Sequence, residues 1–135
     1  MDDAGAFAAL ARERYISLTT FKRDGGTAST PVWVVSDDGR RLLVWTGANT
    51  WKVKRIRRDP RVRVAASDRR GKVRGEPFDA IARLLGPDAA ALVQPLLREK
   101  YGLVKRSLDA FNGLVRKVTP KPEAPAEYIE ILPVR

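Results

Sequence analysis

The sequence predicts a mainly β protein with helices, a small six-stranded antiparallel barrel carrying a helical insertion before its last strand. Three observations predict it. Short apolar or alternating runs recur between turn signals at Asp24-Gly25-Gly26, Asp37-Asp38-Gly39 and Gly86-Pro87. The period changes to helical in only a few places. And an open sheet of this size would leave edges that need covering, which closure removes.

Taken in order, residues Gly5 to Arg14 read as a short helix, with Phe7, Leu10 and Ala11 at helical spacing. Tyr15 to Phe21 is β-branched and aromatic, with Ile16 and Leu18 on one side and Ser17 and Thr19 on the other, a strand with one wet face. Asp24-Gly25-Gly26 tolerates positive φ and turns the chain back as a hairpin. The return strand runs from Thr27 to Ser36; Pro31 inside it cannot donate to a ladder, which places it at an edge or a bulge. Arg41 to Thr46 is the third strand. Thr50 to Asp59 is a short helix that Thr50 can N-cap and Pro60 ends. Arg61 to Ser67 alternates strictly as a fourth strand, Asp68 to Gly75 is a polar loop, and Phe78 to Leu85 is a fifth strand. Ala89 to Tyr101 is helical, with Leu92, Leu96 and Leu97 on its apolar side and Pro95 a candidate kink. Leu103 to Val118 reads as a second helix, Thr119 to Pro125 as a proline-rich linker, and Glu127 to Leu132 as the sixth strand. The whole, 1–135, is one domain, its barrel core at 15–85 and 127–132 and its insert at 87–118. A chain of 135 residues buries enough core to need no staple.

The inventory excludes much chemistry. There is no cysteine and no histidine, which removes disulfides, the usual zinc and iron ligand sets, the Ser-His-Asp triad and the Cys-His pair. No metal site is expected. Asp24, Asp37, Asp38, Asp59 and Asp68 stand beside turns, where their side chains bond backbone amides, so paired-carboxylate hydrolysis is disfavoured. An enzyme with this inventory would take its hard chemistry from an organic cofactor. The start Met1-Asp2-Asp3 has no basic region leading into an apolar one, and no run approaches the roughly 18 apolar residues of a membrane helix. The expectation is a cytoplasmic protein with no membrane partner.

The net charge is +10 and the pI about 10.5, which favours an anionic partner over none. Much of the excess sits between Thr46 and Pro60, where a strand enters a small polar loop and then a helix. Free amides and the dipole at that helix's first turn favour phosphate. At 100° per residue Val53 and Ile56 form its buried stripe, bordered by Lys52 and Arg57, while Lys54 and Arg58 point away. Lys52 is therefore the cation best placed over a cleft, with Arg55 next. Trp33, Trp45 and Trp51 are expected near this segment. Aromatics beside cations also describe a nucleic-acid platform, but no nucleic-acid motif accompanies them, and that reading is the minor one. Thr19, Thr20, Thr30 and Ser67 are strand hydroxyls able to face a ligand, although such groups more often satisfy an edge.

The series Tyr15-Ile16-Ser17-Leu18-Thr19-Thr20, Asp24-Gly25, Thr30-Pro31-Val32-Trp33, Thr46, Lys52 and Arg58-Asp59-Pro60-Arg61-Val62 resembles the flavin/deazaflavin oxidoreductases. These are split β-barrel proteins related to pyridoxamine 5'-phosphate oxidase. The best match is to their coenzyme F420-dependent branch. The resemblance covers roughly residues 10 to 85, with a final strand at Glu127 to Leu132. It implies a homodimer with a cofactor groove at the subunit interface, the planar ring lying along Thr30 to Val34. It also implies a phosphate held by Thr46 and Lys52, with Trp51, Lys54 and Arg55 nearby and Thr19 and Ser67 among the polar contacts. Hydride would pass directly between the reduced deazaflavin and a small unsaturated or quinone-like acceptor. FMN is the alternative cofactor, and a non-catalytic cofactor or tetrapyrrole carrier is the alternative role. Many relatives have asparagine where this chain has Arg55.

Overall fold

The computed structural model describes residues 3–102 and 126–134. The second helix expected over 103–118 and the linker over 119–125 lie outside them. The elements are helix α1 (Asp3–Ala11), strands β1 (Tyr15–Phe21), β2 (Thr27–Val32) and β3 (Leu42–Gly47), helix α2 (Trp51–Arg58), and strands β4 (Arg61–Ser67) and β5 (Phe78–Leu84). A 3-10 turn (Pro87–Ala89) leads into helix α3 (90–102), and β6 (Ala126–Pro133) follows.

The six strands form one antiparallel sheet in the order β2-β1-β4-β5-β6-β3. The sheet curls until its two ends meet at a single bridge, where Val35 and Leu43 exchange backbone hydrogen bonds of 3.0 and 2.8 Å. This is the six-stranded antiparallel barrel that the strand count and turns predict, in the split form that the resemblance implies. The expected return strand to Ser36 is interrupted: β2 ends at Val32, and Val35 rejoins the sheet alone.

Alternation fixes which side of each strand is inside. Ile16, Leu18, Val32, Leu42, Val44, Val62, Val64, Ala80, Ala82, Ile129 and Ile131 fill the barrel, joined by Phe7 and Leu10 of α1 and Ile56 of α2. Each large side chain buried there contributes roughly 1.5–3 kcal/mol. The outer face of the β3–β6 edge carries a second, more aromatic layer. Val93, Leu97 and Tyr101, one turn apart on α3, cover Val35, Leu43 and Tyr128, with Trp33 and Trp45 packed alongside. Of the expected Leu92, Leu96 and Leu97, Leu97 is buried in this layer and Leu96 packs against it, whereas Leu92 is exposed and Val93 and Tyr101 complete the apolar side. The helix continues through Pro95.

The acidic turn residues behave as their positions require. Asp24 Oδ1 accepts from Gly26 N, Asp38 Oδ1 from Arg40 N and Arg41 N, and Asp68 Oδ1 from Arg70 N and Lys72 N, all within 3.1 Å. Gly25 adopts φ +89° in the β1–β2 turn, a conformation that favours glycine.

Candidate functional site

β3 leaves the sheet at Gly47, and the chain passes through Ala48-Asn49-Thr50 into α2. Thr50 occupies the N-cap position with extended backbone, but its side chain does not cap. Its hydroxyl donates back to Gly47 O at 3.0 Å. The first turn of α2 contains no acidic residue, so its free amides and the positive end of the dipole have no side-chain counterion in that turn. At the other end Arg55, Arg57 and Arg58 stand where cations suit the dipole, and Asp59-Pro60 stops the helix.

Val53 and Ile56 are buried and tie α2 to the barrel. Lys52 is half-buried beside them, and burial holds its ammonium below the ordinary lysine value. It makes no ion pair among the described residues. A half-buried cation without an ion pair, in the first turn of a helix whose N-cap side chain does not cap, is an arrangement that an anion could complete: a bound phosphate would favour the charged form and reverse the shift. Thr46 lies half-buried at the end of β3, opposite Glu127 on β6. Glu127 is buried, and its Oε1 accepts from Gly86 N at 2.7 Å and Tyr128 N at 2.8 Å. Those two amides offset the cost of burying the carboxylate.

The remaining expected site residues separate into groups. Trp51, Lys54 and Arg55 lie on a different flank of α2 from Val53 and Ile56. With Lys22 and Arg23 of the β1–β2 turn and Arg58, they line a groove of about 360 Å³. Trp51 is 68 % exposed, with Lys54 Nζ 4.7 Å and the Arg55 guanidinium 5.8 Å from its ring centre. Trp33 and Trp45 belong instead to the layer under α3, so the expected grouping of three tryptophans is corrected to two and one. The reason is alternation: Trp33 and Trp45 fall on the outer side of the β3 edge, which α3 needs to cover. Trp33 stacks on Tyr101 at 4.4 Å and 5°, so one face of this ring is taken.

Thr30 is exposed on β2 opposite Leu18, with Pro31 half-buried and Val32 buried next to it. Gly71 (φ +94°) brings the β4–β5 loop against Pro31, where an added Cβ would lie 3.4 Å from the ring. Thr19 Oγ1 and Ser29 Oγ lie 2.6 Å apart on the outer face. Ser67 is buried, its hydroxyl donating to Asp68 O at 2.8 Å, at the far end of β4 from α2.

Two groups that sequence reasoning missed hold the 30–35 segment in place. The Tyr101 hydroxyl receives Val34 N at 3.0 Å and shares its proton between Arg14 O (2.8 Å) and Val34 O (2.9 Å). Lys100 Nζ donates to Ala11 O, Glu13 O and Val34 O at 2.6–2.8 Å. Much of the side chain is exposed, yet enclosure of the ammonium pulls its pKa down to about 8, while the negative charge of Glu13 opposes that shift. Only the helical period of α3 hinted at either residue.

The family model for pyridoxamine 5'-phosphate oxidase matches residues 4–126. The chain belongs to the pyridoxamine 5'-phosphate oxidase family. The family's split barrel recurs in solved structures at low identity. A conserved hypothetical protein, Rv2991 from Mycobacterium tuberculosis, superposes with TM-score 0.68 and 24% identity, covering 100% of this chain and 82% of that one. An F420 reductase gives TM-score 0.62 and 16% identity over 94% of this chain and 92% of its own. A pyridoxamine 5'-phosphate oxidase-related, FMN-binding protein from Nostoc punctiforme gives 0.61 and 15%, over 96% and 79%. No curated protein matches the chain by sequence. No described helix is long and apolar enough to cross a membrane.

Proposed function

We propose that this family member binds a flavin-type cofactor, coenzyme F420 ahead of FMN, and is an oxidoreductase acting on a small unsaturated or quinone-like acceptor. The observation that carries the reading is Lys52: a half-buried ammonium with no ion pair among the described residues, beside an uncapped helix start without acidic residues. The donor set fits a phosphate, since it offers one cation, backbone amides and the Thr46 hydroxyl. When bound, a reduced deazaflavin would supply the hydride. The chain's own residues bind and orient. Lys52 and the α2 amides would fix the phosphate, and β2 from Thr30 to Val32, backed by the Gly71 loop, would wall the ring. Tyr101 and Lys100 hold Val34 and thereby keep that wall in register. The absence of histidine and cysteine from the chain suits a transfer in which the protein needs no nucleophile.

The cofactor groove that the resemblance implies is proposed to be completed by a second copy of the chain. The outer face of the sheet offers exposed Ile81 and Leu132, neighbours across β5 and β6, for such a contact.

The test is a fluorescence titration of the protein with coenzyme F420 and, separately, FMN, using wild type and Lys52→Ala. The reading expects saturable binding of the deazaflavin, weakened by about 10- to 100-fold in the variant with its thermal unfolding unchanged. Preference for FMN would move the protein to the flavin alternative, and unchanged affinity in the variant would remove Lys52 from the site.

A further inference from the structure

The described arginines divide by whether a carboxylate meets them. Arg41 and Arg83 pair with Glu130, Arg41 also with Asp37, Arg61 with Asp59, and Arg63 with Asp79. The five cations of the groove beside α2, namely Lys22, Arg23, Lys54, Arg55 and Arg58, have no ion pair among the described residues. The acids closest to them in sequence are engaged elsewhere: Asp24 with Gly26 N, and Asp59 with Arg61, although Asp59 still feels the charge of Arg58.

The groove is also held in shape. Arg58 Nη2 donates to Phe21 O at 2.5 Å, joining the end of α2 to the end of β1. The turn that carries Lys22 and Arg23 is closed by Lys22 N to Gly26 O at 2.8 Å and Gly25 N to Lys22 O at 3.1 Å. Both walls are therefore fixed before any ligand arrives. Five like charges gathered around about 360 Å³ repel one another unless an anion joins them. The volume suits a compact ligand and not a duplex surface. Three of the five cations are arginines, whose planar forks match phosphate oxygens.

We propose that this groove is a second anion site, separate from Lys52, and that it takes a compact oligophosphate, free or borne by a nucleotide. Lys52 does not line it; Trp51, Lys54 and Arg55, which the resemblance puts near the cofactor phosphate, are here given to the second ligand. Phosphates entering the groove draw Lys54 and Arg55 off the face of Trp51, so binding changes the emission of this exposed indole.

The experiment is a calorimetric titration with inorganic triphosphate at moderate salt, read in parallel by tryptophan fluorescence. Wild type is compared with Lys22→Ala/Arg23→Ala, Lys52→Ala and Arg98→Ala, the last an exposed cation on α3. The expected result is one saturable site, weakened about tenfold or more in the double variant. Lys52→Ala and Arg98→Ala are expected within about twofold of wild type, since neither residue lines the groove. ATP as a further arm separates the sources: affinity equal to triphosphate assigns the site to phosphate alone, and tighter binding with Trp51 quenching assigns it to a nucleotide. No binding of triphosphate, an unchanged double variant, or an equal loss in Arg98→Ala would overturn the proposal, the last by reducing it to diffuse attraction. Stronger binding of an oligoglutamate peptide than of triphosphate would overturn the phosphate assignment.

Discussion

The β3–β6 edge with α3 and the α2 side with the β1–β2 turn are built from similar residue types and use them in opposite ways. Under α3 the polar groups are mostly satisfied. Glu130, 4% exposed on its side chain, lies between Arg41 at 2.5 Å and Arg83, whose Nη2 approaches Oε1 at 3.0 Å without hydrogen-bond alignment. Tyr128 receives Gln94 Nε2 at 3.0 Å, and Tyr101 and Lys100 bond the backbone of Val34. Around α2 the groove cations have no ion pair among the described residues, the helix start lacks a side-chain cap, and Trp51 is largely exposed. Polar groups that satisfy one another make structure; polar groups left unmatched on a rigid frame make a binding surface. The difference assigns stability to one side of the barrel and leaves the other side as the one proposed to recognise ligands.

The largest effect that would break this division is at Tyr101. Tyr101→Ala removes a buried ring stacked on Trp33 and the hydroxyl that serves Val34, and is expected to cost about 3–5 kcal/mol of stability by denaturant unfolding. A cost below about 1 kcal/mol would mean that α3 does not hold the β3 edge. Glu130→Ala is expected to cost about 2 kcal/mol, because two arginines lose a buried partner but can rehydrate through their exposed ends.

The pH dependence sharpens the same contrast. The hydrogen bonds from Arg41 hold the Asp37 carboxyl below its ordinary value. Its contribution is therefore present above the unfolded value of 3.8 and is lost as pH falls through the lower, folded value. Asp37→Asn should remove that part of the acid limb, by under about 1 kcal/mol, in urea melts between pH 5 and 2. The smallest stability effect is expected on the other side. Lys22→Ala/Arg23→Ala should leave the unfolding free energy within about 0.5 kcal/mol of wild type, with any shift toward higher stability as like charges are removed. A clear loss of stability there would make those cations structural after all.

Much of the barrel was legible in the sequence because one face of each strand is plainly apolar. Ile16 and Leu18, Val62 and Val64, and Ile129 and Ile131 alternate as the inner face demands. Val53 and Ile56 gave the buried stripe of α2. The second layer was less legible. Trp33 and Trp45 are large side chains on the outer side of the sheet, and nothing local says whether α3 or a ligand covers them. The break in β2 after Val32 was hidden as well, since Val34 and Val35 continue the apolar run while the chain bends toward its bridge with Leu43. For the site, Lys52 followed from helical geometry alone. Lys22 and Arg23 did not, because their approach to Arg58 depends on how the β1–β2 turn packs against a helix some thirty residues later.

The measurement that tests the central claim most directly is the cofactor titration of Lys52→Ala beside Lys22→Ala/Arg23→Ala, followed by fluorescence with coenzyme F420 and FMN. The account predicts that Lys52→Ala weakens binding of whichever of the two the wild type prefers by about 10- to 100-fold while both variants unfold like wild type. Wild-type affinity in Lys52→Ala, or a loss of fold in either variant, would contradict it.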